Sequence, residues 1–323
     1  MDKLIETILE TLKSRHLNKA FCHSGFLGKP DVGKSKQAPF YFRNRKDNLI
    51  GFPDDEHKVQ ICQGSGREWD KDIFALRSSC ALAFNLFGNG PVRFCSGSLP
   101  ISGTFSVQYE KQLPTLRPIE NKSRTPANLD VYLESLSGGN TIVFFEIKKL
   151  EWLTNNSRPL SARYLKQKSY KATVNQNAIS AFVKLFSDIS IRENRNCRFK
   201  RYDAFQMSKH LLGIYNHLEA RKSNSSVSLP NVLLVNCIWE FGSKFKCSIV
   251  PERLLSRYNR AVAQETNEFA EFCECIQPVL SVFRDALGTT MDVKKVSVQT
   301  LIEQMERTDI PDWKIRLITS NCL

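Results

Sequence analysis

Several features that would place a chain of this length in a common class are missing from the sequence. No apolar run approaches the ~20 residues that a helix needs to cross a bilayer. Residues 1–16 form an amphipathic, acid-containing pattern rather than a signal peptide. None of the ten cysteines falls in a Cys-x-x-Cys pair, and internal repeats are absent. We therefore expect a cytoplasmic protein with reduced thiols, no zinc site and no membrane partner.

Acidic residues are fewer than basic ones, with 33 Asp or Glu against 46 Lys or Arg and a net charge of +13. The excess is concentrated in residues 158–201, where eleven Lys or Arg accompany two acids. Such a block favours a polyanion such as nucleic acid, although a solvated lysine-rich surface is the ordinary alternative. The candidate nucleic-acid contacts are Arg158, Arg163, Lys166, Lys168, Lys171, Arg195, Arg198, Lys200 and Arg201.

The remaining composition is that of a globular α/β protein. Hydrophobic residues make up 41% and charged residues 24% of the chain, which suffices for a folded core. Apolar periodicity predicts a helix over 68–87, strands over 92–95, 104–110, 128–133 and 141–149, a helix over 202–220 and a buried strand over 231–240. We expect an N-terminal helix and irregular basic arm over 1–66, a core over 67–250 and a helical elaboration of the same domain over 251–323.

Two neighbouring predicted strands carry the most informative side chains. Asp130 lies in the first strand, and Glu146 and Lys148 lie near the end of the second, after a Gly-rich turn. Because side chains alternate along a strand, Glu146 and Lys148 share one face, and an antiparallel partner brings Asp130 beside them. Carboxylates suit Mg²⁺ or Mn²⁺, and a lysine can bind a phosphate and orient an attacking water. The hairpin therefore predicts metal-assisted hydrolysis of a phosphodiester.

An acid-x-Lys triplet is a weak signal on its own, because five occur in the chain. Only the triplet at 146–148 ends a strongly apolar strand, follows a hairpin turn and has an Asp on the preceding strand. The triplet at 312–314 follows a proline but lies in a helix-like stretch with no partner strand, so we reject it. The five are Glu56-His57-Lys58, Glu120-Asn121-Lys122, Glu146-Ile147-Lys148, Asp292-Val293-Lys294 and Asp312-Trp313-Lys314.

This Asp…Glu-x-Lys hairpin, within the helix, three strands, helix and strand of residues 68–240, resembles the PD-(D/E)XK nuclease superfamily, in particular its type II restriction endonucleases. Leu129 stands where the family has proline. The resemblance implies a restriction-endonuclease-like core, a mixed central sheet flanked by helices, and a Mg²⁺- or Mn²⁺-dependent DNA endonuclease. It implies Asp130, Glu146 and the Ile147 carbonyl as metal ligands and Lys148 as the group that positions or deprotonates the water. The implied partners are DNA, a second copy of the chain and, for a restriction enzyme, a cognate methyltransferase.

Other acids are candidates for supporting roles at such a site. Glu110 ends the strand before that of Asp130, and some relatives recruit an additional upstream acid as a metal ligand. Glu68 and Asp72, on the predicted preceding helix, compete for the same role. Glu151, three residues beyond Lys148, is a candidate for an outer layer of carboxylates around the metal. An exposed acid or a surface salt bridge is the ordinary alternative for each.

The helix predicted after the hairpin offers two polar residues. Gln206 and His210 are four residues apart and share a helical face. They match the family pattern of a Gln followed by a basic or aromatic residue that points toward the site. The alternative is a half-buried helix whose polar residues face solvent. We expect no zinc at His210 and His217, because no further ligand is placed to complete four.

A phosphate-binding loop pattern leaves a second functional class open. Residues 28–35 fit G-x-x-x-x-G-K-S, but that loop needs a buried strand before it and a helix after it. The preceding residues form a poor strand, and Pro39 interrupts a helix. A nucleotide hydrolase is therefore the weaker hypothesis. A repair, recombination or RNA-processing nuclease and a non-catalytic DNA-binding protein of the same fold remain as alternatives.

Overall fold

The strands assemble into one mixed seven-stranded β-sheet, seen in a computed structural model of the chain. The strands are β1 (Val92–Phe94), β2 (Gly103–Leu113), β3 (Ala127–Ser135), β4 (Thr141–Lys148), β7 (Asn231–Ile238), β8 (Met291–Ser297) and β9 (Met305–Arg307). Their order is β8-β7-β4-β3-β2-β1-β9, parallel from β4 to β8 and antiparallel elsewhere. A separate ribbon joins β5 (Arg192–Glu193) and β6 (Asn196–Cys197).

Helices cover both faces of the sheet. They are α1 (Lys3–Ser14), α2 (Asp55–Cys62), α3 (Ser79–Phe87), α4 (Gln176–Ser190), α5 (Ala204–Asn224), α6 (Glu252–Cys275), α7 (Gln277–Val282), α8 (Val298–Gln304) and α9 (Trp313–Asn321). The structure describes residues 2–16, 18–22, 40–64, 68–118, 126–136, 138–154, 160–171, 174–190, 192–193, 196–224, 228–242 and 251–323.

The predicted hairpin and the buried strand after it are confirmed. β3 and β4 pair antiparallel, and their alternating apolar residues face the two sides of the sheet. β7 is buried along nearly its whole length because it lies between β4 and β8 with helices on both faces. The coarse expectation of an α/β fold with a mixed sheet flanked by helices therefore holds.

The helix predicted over 68–87 is too long. Its N-terminal part contains a single 3-10 turn (Asp72–Phe74), and Ala75 is extended, with φ −76° and ψ 130°. α3 begins after Ser78, whose hydroxyl accepts a 3.0 Å hydrogen bond from the Ala81 amide. Serine is a preferred N-cap because it satisfies an amide that has no partner within the helix. The helix therefore begins at Ser79, whereas apolar periodicity alone predicted a start at residue 68.

Two helices lie where the sequence pattern predicted none. α2 falls in the arm expected to be irregular and is capped by Asp54, which accepts a hydrogen bond from the His57 amide. α4 falls inside the basic block, and its buried residues recur at helical spacing: Ala178, Ile179, Phe182, Leu185 and Phe186. One face of that block is therefore core, so the block is not a continuous charged surface.

The sheet separates two hydrophobic cores. The first contains α1, α3, α8 and α9 and the face of β4 that carries Phe145 and Ile147. The second contains α4, α5 and α7 and the opposite face, which carries Phe144. The region 251–323, expected to be helical, also supplies β8 and β9, one at each edge of the sheet. In the described part of the chain, no helix is both long enough and apolar enough to cross a membrane.

Candidate active site

Acidic side chains from three neighbouring strands lie in one row across the sheet. The antiparallel register of β2 and β3 places Glu110 opposite Asp130. The register of β3 and β4 places Asp130 one position beyond their last bonded pair, next to Glu146. The row continues through Asn236 on β7 to Lys295 on β8. Residues directly opposite each other on neighbouring strands are in contact range, so Glu110, Asp130 and Glu146 lie side by side across three strands.

Asp130 occupies the gap that opens where β3 and β4 diverge. Beyond their last bonded pair, β3 remains paired with β2 and β4 with β7. The Asp130 Oδ2 atom accepts a 2.5 Å hydrogen bond from the Ile147 amide. Because the N–H and C=O of one strand residue point to the same neighbouring strand, the Ile147 carbonyl faces the same gap. Burial, then the charges of Glu146 and Glu110, raises the pKa of Asp130 well above its usual range.

Glu146 is held by two side chains, one from its own strand and one from α5. Its Oε1 lies 2.6 Å from the Lys148 Nζ, and its Oε2 lies 2.8 Å from the His210 Nε2. The Glu146 side chain is only 3% exposed. Burial acts to raise its pKa, but Lys148 and His210 outweigh burial and lower the pKa of Glu146 to about 2. Glu146 is therefore an ionised carboxylate at any ordinary pH.

Lys148 is oriented by the first turn of α5. Its ammonium donates a 2.7 Å hydrogen bond to the Gln206 Oε1 in addition to its ion pair with Glu146. Burial acts to lower its pKa, but Glu146 and then Asp203 raise the pKa of Lys148 above its ordinary value. The Lys148 side chain is 13% exposed, so the cation reaches the cleft while its position is fixed.

Asp203 is a residue of the site that sequence reasoning missed. It is buried, and its Oδ1 accepts a 3.0 Å hydrogen bond from the Gln206 amide, which fixes the first turn of α5. The signal was present in the sequence as Asp-x-x-Gln before an apolar helix, a typical N-capping pattern. Glu268 on α6 supports the same turn by accepting hydrogen bonds from the amides of Lys200, Arg201 and Tyr202.

Glu110 adopts a backbone conformation that is uncommon for any residue except glycine. Its φ is 52°, and residues held in this region cluster at functional sites. Tyr109 packs in the first core and Leu113 in the second, so the chain changes face at this point. Glu110 is buried and accepts a hydrogen bond from Asn128. Burial, then the charge of Glu68, raises the pKa of Glu110 to about 8.

Glu110, Asp130 and Glu146 line a cleft of about 640 Å³. One wall is the start of α5, and the other is the segment from Glu68 to Cys80. Seven acids and three Lys or Arg of the described residues line this cleft, in a chain whose net charge is +13. The lining therefore has local negative charge that a divalent cation would offset, and an anionic substrate would otherwise be repelled.

The side chains satisfy part of what a divalent cation requires. Among the described residues, no three His, Cys, Asp or Glu side chains are grouped closely enough to hold a metal ion directly. The carboxylates instead accept bonds from protein donors, Glu146 from Lys148 and His210 and Asp130 from Ile147. Each carboxylate oxygen has two acceptor positions and can keep its protein donor while binding a cation. Glu110, Asp130 and Glu146 supply the oxygen donors that Mg²⁺ or Mn²⁺ prefers, and direct binding of a cation would require these side chains to move closer together.

The competing acids lie in the same cleft in different positions. Glu68 and Asp72 line it opposite α5, and neither is on the helix to which the sequence assigned it. The Glu151 Oε2 accepts hydrogen bonds of 2.7 and 2.9 Å from the amides of Lys149 and Leu150. Glu151 therefore stabilises the chain where β4 ends, and its charge also acts on the pKa of Lys148.

The predicted nucleic-acid contacts divide into two groups. Lys166 and Lys168 are exposed and Arg163 is half-buried. The nearby Tyr164 ring makes an edge-to-face contact, with 5.4 Å between ring centroids, with Phe205 in the cleft wall. Arg198 instead lies 2.5 Å from a carboxylate oxygen of Glu271, and Arg201 donates to the Leu153 carbonyl. Lys171 is half-buried, and the Lys200 amide bonds Glu268. Arg158, Arg195 and the 28–35 loop lie outside the described residues.

His217 lies on α5, seven residues beyond His210, and is not part of the cleft lining. Burial, then the charges of Lys111 and Arg221, lowers the pKa of His217 to about 4.

Comparisons of the chain with protein-family models, curated proteins and solved structures gave no match. The functional argument therefore depends on the residues and geometry of the cleft itself.

Proposed function

We propose that this chain is a metal-dependent DNA endonuclease with a PD-(D/E)XK-type core and a role in restriction or defence. The observation that carries the proposal is the row of Glu110, Asp130 and Glu146 beside Lys148 in the cleft. The order of α3, the β2–β4 meander, α5 and β7 supports the family assignment, because it contains the expected helix, three strands, helix and strand, with β1 inserted after α3 and with α4 and the β5–β6 ribbon inserted before α5.

The chemistry follows from these side chains. Held by Asp130, Glu146 and the Ile147 carbonyl, with Glu110 as an added ligand, Mg²⁺ or Mn²⁺ would supply an acidified water and positive charge for the phosphate. Lys148, fixed by Glu146 and Gln206, binds a phosphate oxygen and orients the attacking water. In-line attack on phosphorus leaves a 5′-phosphate and a 3′-hydroxyl.

His210 has a positioning role in this scheme. A carboxylate can only accept hydrogen bonds, so the His210 Nε2 donates to the ionised Glu146. His210 is 1% exposed and lies on α5, one turn beyond Gln206. The same helix therefore holds both the anion and the cation of the Glu146–Lys148 pair, from two successive turns.

DNA is the proposed substrate because a basic segment packs against the cleft wall through Tyr164. Arg163, Lys166 and Lys168 lie beside Tyr164, which packs against Phe205 at the cleft wall. They can bind phosphates that flank the scissile one, and the acidic cleft with its cation binds the scissile phosphate itself. Cutting both strands of a symmetric site would require a second copy of the chain.

Cleavage of a panel of nucleic acids tests the proposal. Supercoiled plasmid, linear duplex, branched DNA and RNA are incubated with Mg²⁺, Mn²⁺ or EDTA and with wild type, Lys148→Met or Lys294→Met. Lys294 is an exposed lysine of another acid-x-Lys triplet, on β8, and serves as the matched control. We expect metal-dependent cleavage that Lys148→Met reduces by about 100-fold or more and Lys294→Met leaves unchanged.

The substrate pattern separates the alternatives. Discrete fragments from plain duplex DNA support a restriction enzyme, which would act beside a cognate methyltransferase. Cleavage confined to branched DNA or RNA supports a repair, recombination or RNA-processing nuclease with the same site. Binding without cleavage across all substrates and metals would overturn the enzymatic proposal and leave a DNA-binding protein.

A further inference from the structure

A second, much smaller cavity adjoins the candidate active site. It has a volume of about 10 Å³, the space of one water molecule. Lys148 and Asn236 line it from the sheet, Tyr202 lines it from the loop before α5, and Glu265 lines it from α6. The cavity therefore lies where β4 and β7 meet the start of α5 and α6.

Two residues that line this cavity each carry a buried polar atom that lacks a hydrogen-bond partner in the described part of the chain. The Tyr202 hydroxyl and the Glu265 Oε1 have no hydrogen-bond partner among the described residues, and these residues are 2% and 1% exposed. The other Glu265 oxygen, Oε2, is paired with Lys295. Each unsatisfied buried polar group costs ~1–3 kcal/mol, so two around one water-sized space indicate a bound molecule.

The remaining lining groups complete a hydrogen-bonding shell. An ammonium has three donors, and within the described part of the chain two donors of Lys148 are used by Glu146 and Gln206. Asn236 is buried beside Glu146 and offers an amide oxygen or N–H. Burial raises the pKa of Tyr202, so its hydroxyl keeps its proton as a donor. A buried water needs two to four such partners.

We infer that one water molecule is bound between Tyr202, Glu265, Asn236 and Lys148. It accepts from the Tyr202 hydroxyl and the Lys148 ammonium and donates to the Glu265 Oε1 and the Asn236 side chain. The water links α6 and the Lys295–Glu265 ion pair to the proposed catalytic lysine. Glu265 and Tyr202 are therefore positioning residues for Lys148, a role that rests on the proposed function, whereas the water site does not.

The test is a high-resolution crystal structure of the wild type, Tyr202→Phe and Glu265→Gln. Tyr258→Phe is the matched control, because Tyr258 is also a buried tyrosine but bonds the Phe241 amide and does not line the cavity. We expect one ordered water within about 3.2 Å of the Tyr202 hydroxyl and the Glu265 Oε1 in the wild type and the control. We expect it to be displaced or lost in both cavity variants.

The wild-type crystal structure alone can overturn the inference. It would do so if the Tyr202 hydroxyl bonded Glu265 directly, with no electron density for a water between them. The positioning role has its own readout, a kcat about 10-fold lower with unchanged KM in both cavity variants. Because both act through one water, the double variant should lose little more than either single one. An ordered water in a protein that cleaves nothing overturns only the nuclease proposal, and a dry cavity in an active enzyme overturns only this inference.

Discussion

The Glu146–Lys148 pair provides a quantitative test of how the site is built. Removing one partner of a buried ion pair costs ~3–5 kcal/mol, because the other charge is left in a poorly solvated place. Glu146 is nearly inaccessible, and Lys148 is fixed by two bonds. We expect Lys148→Met to reduce the free energy of unfolding by about 3 kcal/mol and Glu146→Gln by about 2 kcal/mol.

The double variant distinguishes this account from simple loss of packing. With neither charge present, the uncompensated-charge term disappears, so the double variant should lose at least ~1 kcal/mol less than the sum of the single changes. Lys184 and Asp188 form an exposed control pair on α4, with a 2.8 Å separation close to the 2.6 Å of the site pair. Its coupling should be only ~0.3–0.5 kcal/mol.

Urea unfolding at neutral pH, followed by circular dichroism for all six variants, measures both couplings. The N···O distances in the two pairs are nearly equal, so distance cannot explain a difference between their coupling energies. A larger coupling energy for Glu146 and Lys148 would therefore be due to their burial. Additivity within ~0.5 kcal/mol at the site pair would refute the reasoning, since it would mean that water solvates both charges freely.

Three further predictions concern the surroundings of the site. Gly213→Ala should destabilise the protein by about 1–2 kcal/mol and so lower its urea midpoint, because the new Cβ would lie 2.9 Å from side-chain carbons of β2 and β3. This crowding should outweigh the better helix propensity of alanine, and a raised midpoint would contradict the prediction. The pKa of His217 is about 4 when folded against 6.5 when unfolded, so the unfolded state binds more protons between these values and stability falls as pH falls through that window. Denaturant titrations at pH 4.5 and pH 7 measure how much unfolding free energy is lost between these two pH values. His217→Gln should make this loss smaller by on the order of 1 kcal/mol, and an equal loss in wild type and variant would disprove the prediction. Lys166→Ala with Lys168→Ala should lower the salt slope of DNA affinity by up to about 2, whereas Arg198→Ala, which removes a pair with Glu271, should leave the slope unchanged.

The central part of the site could be predicted from the sequence because its signals are local. Alternation along two strands placed Glu146 and Lys148 on one face, and the turn between the strands brought Asp130 to them. Helical spacing likewise put Gln206 and His210 on one face, and the structure places both against the Glu146–Lys148 pair. In each case the relevant residues lie within one element or one hairpin.

Other features depend on which elements become neighbours in space. The water-sized cavity needs Tyr202, Asn236 and Glu265 together, and these lie in the loop before α5, on β7 and on α6, whose proximity no local pattern reveals. β8 has an alternating apolar pattern, but its parallel partner β7 is separated from it by α6 and α7. The start of α3 depends on a single hydroxyl cap, and α4 was obscured by the charge of the surrounding block although its apolar spacing is regular.

The central claim is that the carboxylate row is a divalent-cation site. Calorimetric titration with Mn²⁺ measures this directly, using the wild type, Asp130→Asn and the control Asp292→Asn, an exposed acid on β8 in another acid-x-Lys triplet. The account predicts saturable binding that Asp130→Asn abolishes or weakens by 10-fold or more and Asp292→Asn leaves intact, a loss of about 1.4 kcal/mol or more. Absence of binding to the wild type at millimolar Mn²⁺, or equal binding to all three proteins, would contradict it.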